Sequence, residues 1–135
     1  MSVAKAASCL GFTSLGRTLP TGMILKGISF FGYWDETGEI FVGRYSGRDT
    51  AFFDYYAHHG DMGYSQTLVA IQSTADINEL FDSSISQFWR SSEIKFEQAG
   101  SWIVMYRDRQ QIADKDLEGF IGSCKELVLH LESLT

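Results

Sequence analysis

The spacing of hydrophobic and polar positions changes several times along the chain, and each change marks an element. Residues 2–10 are alanine-rich and stop at Gly11, which predicts a short helix capped by Ser2. Gly16, Pro20 and Gly22 then punctuate a loop. Residues 23–34 are apolar and aromatic without clear alternation, and part of this stretch reads as a strand. Asp35-Glu36-Thr37-Gly38 carries turn chemistry. Beyond it Ile40, Val42 and Arg44 alternate with Phe41, Gly43 and Tyr45, the period of a strand. Ser46-Gly47-Arg48 predicts a tight turn into a second strand over residues 50–56, nearly all aromatic or β-branched. A looser loop over residues 57–63 leads to a third strand over 64–71. Three consecutive strands with short connections predict an antiparallel meander.

The period then lengthens. Ile77, Leu80, Phe81, Ile85, Phe88 and Trp89 fall on one face of a helix. Ile94 and Phe96 alternate with Glu93, Lys95 and Glu97, and Gln98-Ala99-Gly100-Ser101 turns the chain into a strand over 102–107, a second hairpin. Asp114 is placed to cap a final helix, on which Leu117, Phe120, Ile121, Cys124, Leu127, Val128, Leu131 and Leu134 form a continuous apolar stripe. Gly119 and Gly122 interrupt that helix at a cost of about 1 kcal/mol each, which suggests close approach to the sheet or to another chain. The expected order is helix, three strands, helix, two strands, helix. The fold class is α+β, one domain with a single antiparallel sheet of about five strands and helices packed on it.

Composition narrows the function classes. At 135 residues, 44% hydrophobic and 21% charged, the chain suits one soluble globular domain, and no apolar run approaches the ~20 residues that span a bilayer. The formal net charge is -6, from 11 basic and 17 acidic residues, which argues against nucleic acid as a partner. The first 34 residues hold Lys5, Arg17 and Lys26 and no acid, which favours a contact between this segment and the acidic body, within a chain or between two. Cys9 and Cys124 have no metal-ligand spacing, and buried free thiols in a cytoplasmic protein are the expectation. Ala6-Ala7-Ser8-Cys9 has the look of a lipoprotein cleavage site but lacks the apolar stretch that precedes one.

The densest polar constellation is Asp54, His58, His59 and Asp61. Two imidazoles and two carboxylates suit a divalent transition metal, and a loop could aim adjacent histidines at one ion where a strand could not. No HExxH framework surrounds them, and a solvated hairpin loop is the competing reading. No serine lies in a GxSxG elbow, and neither cysteine has a histidine partner suggested by position. The glycines match neither GxGxxG nor GxxxxGKS, so no cofactor is expected. Aromatic residues cluster instead, Phe30, Phe31, Tyr33 and Trp34 in one group and Phe52, Phe53, Tyr55 and Tyr56 in another. Rings on both faces of a strand need cover from helices, from a partner or from water. Phe31, Tyr33, Trp34, Tyr55 and Tyr56 are accordingly candidate anchors of a protein-binding or dimer surface.

The stretch GRYSGRDTAFFDYYAHHGDMGYSQTLVAIQ, preceded by LGFT and followed by GSWIVMYRDRQQIADKDLEGFIGSCKELV, resembles an uncharacterised family of bacterial proteins. The resemblance runs through Phe53-Asp54-Tyr55, Gln66-Thr67-Leu68 and Gly100-Ser101-Trp102. It implies the fold and no activity. The element order, size and acidity are also similar to the small dimeric chaperones of type III secretion, which wrap client segments around apolar grooves. Taken together, the expectation is a cytoplasmic, non-catalytic protein-binding module that pairs with a protein partner or with itself as a homodimer. The alternatives are a metal- or small-ligand-binding protein or enzyme using the His58, His59 and Asp61 loop, and an acidic immunity protein that captures a basic toxin by electrostatic steering.

Overall fold

The computed structural model describes residues 3–26, 35–59, 62–75 and 94–133, without the side chains of His59 and Met62. The helix expected around residues 77–89, the aromatic group of Phe30, Phe31, Tyr33 and Trp34, and Asp61 lie outside the described residues.

The described residues form an α+β fold built on one antiparallel sheet. Helix α1 (Ala4–Leu10) leads into β1 (Thr13–Ser14), β2 (Glu36–Thr37), β3 (Phe41–Tyr45), β4 (Arg48–His59), β5 (Met62–Gln72), β6 (Lys95–Ala99), β7 (Trp102–Tyr106) and helix α2 (Asp114–Ser133). The strand order is β1-β3-β4-β5-β7-β6, with β2 also against β4. The sheet therefore has seven strands rather than about five, and the element order differs from the expected one. The two extra strands are two residues long, too short to carry an alternation that a sequence could display.

One of them corrects the reading of residues 35–38 as a turn. Glu36 and Thr37 pair with Tyr56 and Tyr55, and Phe41 pairs with Phe52, so residues 38–40 stand opposite only residues 53–54. That extra residue is a β-bulge, with the Gly38 amide donating to the Asp54 carbonyl at 2.7 Å. Strands β2 and β3 are in effect one bent strand along the edge of β4. By contrast, β3 and β4 meet at the predicted tight turn, where Ser46 (φ 52°) and Gly47 (φ 80°) take the two left-handed positions of a two-residue hairpin.

The central strands are covered on both sides, which is where the aromatic residues of β4 go. Phe52 faces α2 together with Phe41, Val69, Ile71, Ile103 and Met105, against the helix stripe Leu117, Phe120, Ile121, Cys124, Leu127, Val128 and Leu131. Phe53 and Tyr55 face the opposite way with Leu68, Ala70, Trp102, Val104 and Tyr106, where Met23 and Leu25 pack on them. The indole N–H of Trp102 donates to the Thr21 carbonyl at 3.0 Å, pinning the 21–25 segment across this face.

The amino-terminal segment reaches the body through hydrogen bonds and apolar contacts. Phe12 lies 5.1 Å from Phe52 between ring centroids, over Gly43, where an added Cβ would sit 2.6 Å from the Phe12 ring. Helix α1 ends at Gly11 in the left-handed conformation as expected, but Val3 holds its N-cap position without a side-chain bond. Helix α2 begins at Asp114, which is therefore a first-turn residue complementing the helix dipole rather than the cap. Its glycines do not mark a close approach to the sheet: Gly119 has open space beside it, and a Cβ on Gly122 would make an ordinary 3.5 Å contact with the Tyr45 hydroxyl. Cys124 is buried and Cys9 is exposed, which corrects the expectation of two buried thiols. Burial pushes the Cys124 thiol far above its ordinary value, so it is inert in the folded chain.

Candidate functional site

The hairpin of β4 and β5 is the longest pairing in the sheet, running from Thr50 opposite Ile71 to His59 opposite Met62. Among the described residues its neighbours stop short. Strand β2 accompanies β4 only to Tyr56, and β7 accompanies β5 only from Val69 onward, with one further bond from the Thr67 amide to the Gln110 carbonyl at 3.0 Å. Past those points Ala57–His59 and Met62–Tyr64 pair with each other as an arm. Residues 57–59, 62 and 63, expected to be loop, are thus strand, because the pairing register continues through them.

The arm is braced at its root. The Tyr55 hydroxyl donates to Asp35 Oδ2, and the His58 backbone amide donates to Asp35 Oδ1 at 2.9 Å, so one carboxylate ties two positions of β4. On the other strand the Arg109 guanidinium lies over the Tyr64 ring, 4.9 Å from its centroid. Burial, reinforced by the charge of Asp108, raises the Tyr64 hydroxyl above its ordinary value. Tyr56 is half-buried over Gly38, and His58 on the same face is exposed.

This geometry sorts the candidate residues. Tyr55 is 1% exposed, so it belongs to the core of its own chain, while Tyr56 stays partly accessible. Asp54 and His58 share a face of β4 but lie four residues apart, a separation of about 13 Å at ~3.3 Å per residue, too far to share an ion. His58 and His59 occupy consecutive strand positions, which belong to opposite faces. Among the described residues no three His, Cys, Asp or Glu side chains come together as a metal-binding group.

Asp54 has a different setting. It is buried on the helix-facing side, where Thr67 Oγ1 donates to its Oδ1 at 2.9 Å. Burial raises its carboxyl above the ordinary range, the bonds from Thr67 and Gln111 and the chain's amino-terminal charge oppose this, and the charge of Asp114 adds to it.

A third arrangement had no signal in the sequence. Arg48 holds Glu132 through both terminal guanidinium nitrogens, Nη1 to Oε2 at 2.8 Å, and Ser73 Oγ donates to the same carboxylate at 2.7 Å. The pairing joins the start of β4 to the end of α2 across 84 residues. These groups line an open depression of ≈ 920 Å³ with Arg44, Asp49, Gln72, Thr74, Gln98 and Ser101. Arg44 is itself engaged by Asp49 at 3.1 Å, so the depression is polar and its charges are balanced.

No family model, curated protein or solved structure matches this chain. A functional reading therefore stands on the chemistry of its own residues. Among the described residues no helix is long and apolar enough to cross a membrane.

Proposed function

We propose that the chain is a non-catalytic protein-binding module that works in the cytoplasm as a homodimer, joined through the β4–β5 arm. The observation that carries this reading is the arm itself, a braced strand pair that outruns its neighbours among the described residues and presents Tyr56 and His58 on one face. Projecting strand pairs offer main-chain donors and acceptors to a second sheet edge, and an aromatic residue at the root supplies an anchor. Two ionisable groups of β4 support the non-catalytic part, because Asp54 is held by Thr67 and Arg48 by Glu132, each in a bond that shapes the fold.

Amide exchange across a concentration series tests this. Protection of residues 57–65 should grow with protein concentration, and Tyr56→Ala should remove that growth while β7 amides stay protected. Concentration-independent exchange throughout the arm overturns the reading.

A further inference from the structure

We propose that Asp54 and Asp114 form a proton-operated latch on the loop between β7 and α2, held shut on β5 while Asp54 is neutral and loosened when Asp54 ionises. This stands apart from the arm and the dimer. The loop is stitched to two consecutive residues of β5: the Arg109 amide donates to Gln66 Oε1 at 3.0 Å, the Thr67 amide to the Gln110 carbonyl at 3.0 Å, and the Ile112 amide to Thr67 Oγ1 at 2.8 Å. Thr67 is the link, because the hydroxyl that accepts from Ile112 donates to Asp54 Oδ1. The loop's hold on the sheet and the state of Asp54 are therefore joined through one oxygen.

The surroundings of Asp54 set the direction. It is 5% exposed and takes part in none of the described ion pairs. The groups acting on it are Thr67 from β5, Gln111 from the loop, Asp114 from the first turn of α2 and the amino-terminal charge. Asp114 is a like charge, and its Oδ1 is enclosed without a hydrogen-bond partner. A negative charge on Asp54 is thus both desolvated and opposed by Asp114, and opening the loop to water relieves both costs. Closure is favoured at the acidic end and weakens as pH rises through the titration of Asp54.

Amide exchange of Ile112 and Thr67 between pH 4 and 7, corrected for intrinsic rates and compared with Val69 at the sheet centre, tests the latch on the whole chain. Ile112 and Thr67 should lose protection relative to Val69 as pH rises. Asp54→Asn, which keeps an acceptor for Thr67, should abolish that loss, and Asp114→Asn, which removes the like charge opposing ionised Asp54, should shrink the loss and bring its end to lower pH. Unchanged pH dependence in Asp54→Asn overturns the proposal, and so does failure of Asp54→Asn to fold, since the neutral side chain is the one the latch holds.

Discussion

Removing Arg48 should detach the end of α2 from the sheet, and the size of the effect follows from the geometry. Arg48 makes a two-point, charge-assisted contact with Glu132, and hydrogen bonds to charged groups contribute about 1.5–3 kcal/mol. The two side chains are 27% and 24% exposed, so solvent screens part of that attraction and a coupling of about 1–2 kcal/mol is expected. For a chain of this size that corresponds to a fall in Tm of roughly 3–10 °C. The bond from Arg48 pulls the Glu132 carboxyl below its ordinary value, with Ser73 helping and burial opposing. A lowered folded-state value means the stabilisation is complete above the unfolded glutamate value near ~4.3 and is lost as pH falls through the folded one. Thermal melts of the parent, Arg48→Ala, Glu132→Gln and the double variant at pH 7 and pH 3 measure this. The gap between parent and Arg48→Ala should be widest at pH 7 and should shrink at pH 3. Single effects that simply add, or a gap equal at both pH values, refute the reasoning.

Other outcomes follow from single contacts. Gly43→Ala should cost about 1–3 kcal/mol in denaturant unfolding, because its Cβ would overlap the Phe12 ring and force repacking; a neutral result would mean that α1 and Phe12 are not docked as described. A thiol reagent should modify Cys9 at once and Cys124 only on unfolding, read as one adduct by mass in native buffer and two in denaturant. Trp102→Phe removes the donor to the Thr21 carbonyl and should raise the protease sensitivity of the 15–26 segment while the sheet amides stay protected.

Long periodic elements were legible in the sequence and long-range polar pairings were not. The α2 stripe from Leu117 to Leu131, the alternation in β3 and the hairpin turn at Ser46-Gly47 each repeat a local pattern that burial requires, so their positions follow from the residues alone. Strand β2 escaped because Asp35-Glu36-Thr37-Gly38 has the composition of a turn, and only the β4 edge it meets turns it into a strand. The arm has the look of a loop in the sequence because His58, His59, Gly60, Asp61 and Gly63 weaken the strand signal, while pairing between Ala57–His59 and Met62–Tyr64 prevails. The grouping of Asp54 with His58 and His59 places the histidines in a loop after the strand; β4 instead runs on through His59. Asp54 with Thr67, Arg48 with Glu132 and Tyr55 with Asp35 are bonds between distant segments, and nothing local in the chain announces them.

Sedimentation equilibrium of the intact chain tests the proposed module most directly. The dimer reading requires a mass of twice 15.2 kDa at working concentration that falls to 15.2 kDa for Tyr56→Ala with the far-ultraviolet spectrum of a folded chain. A parent that remains at 15.2 kDa across the whole concentration range contradicts it.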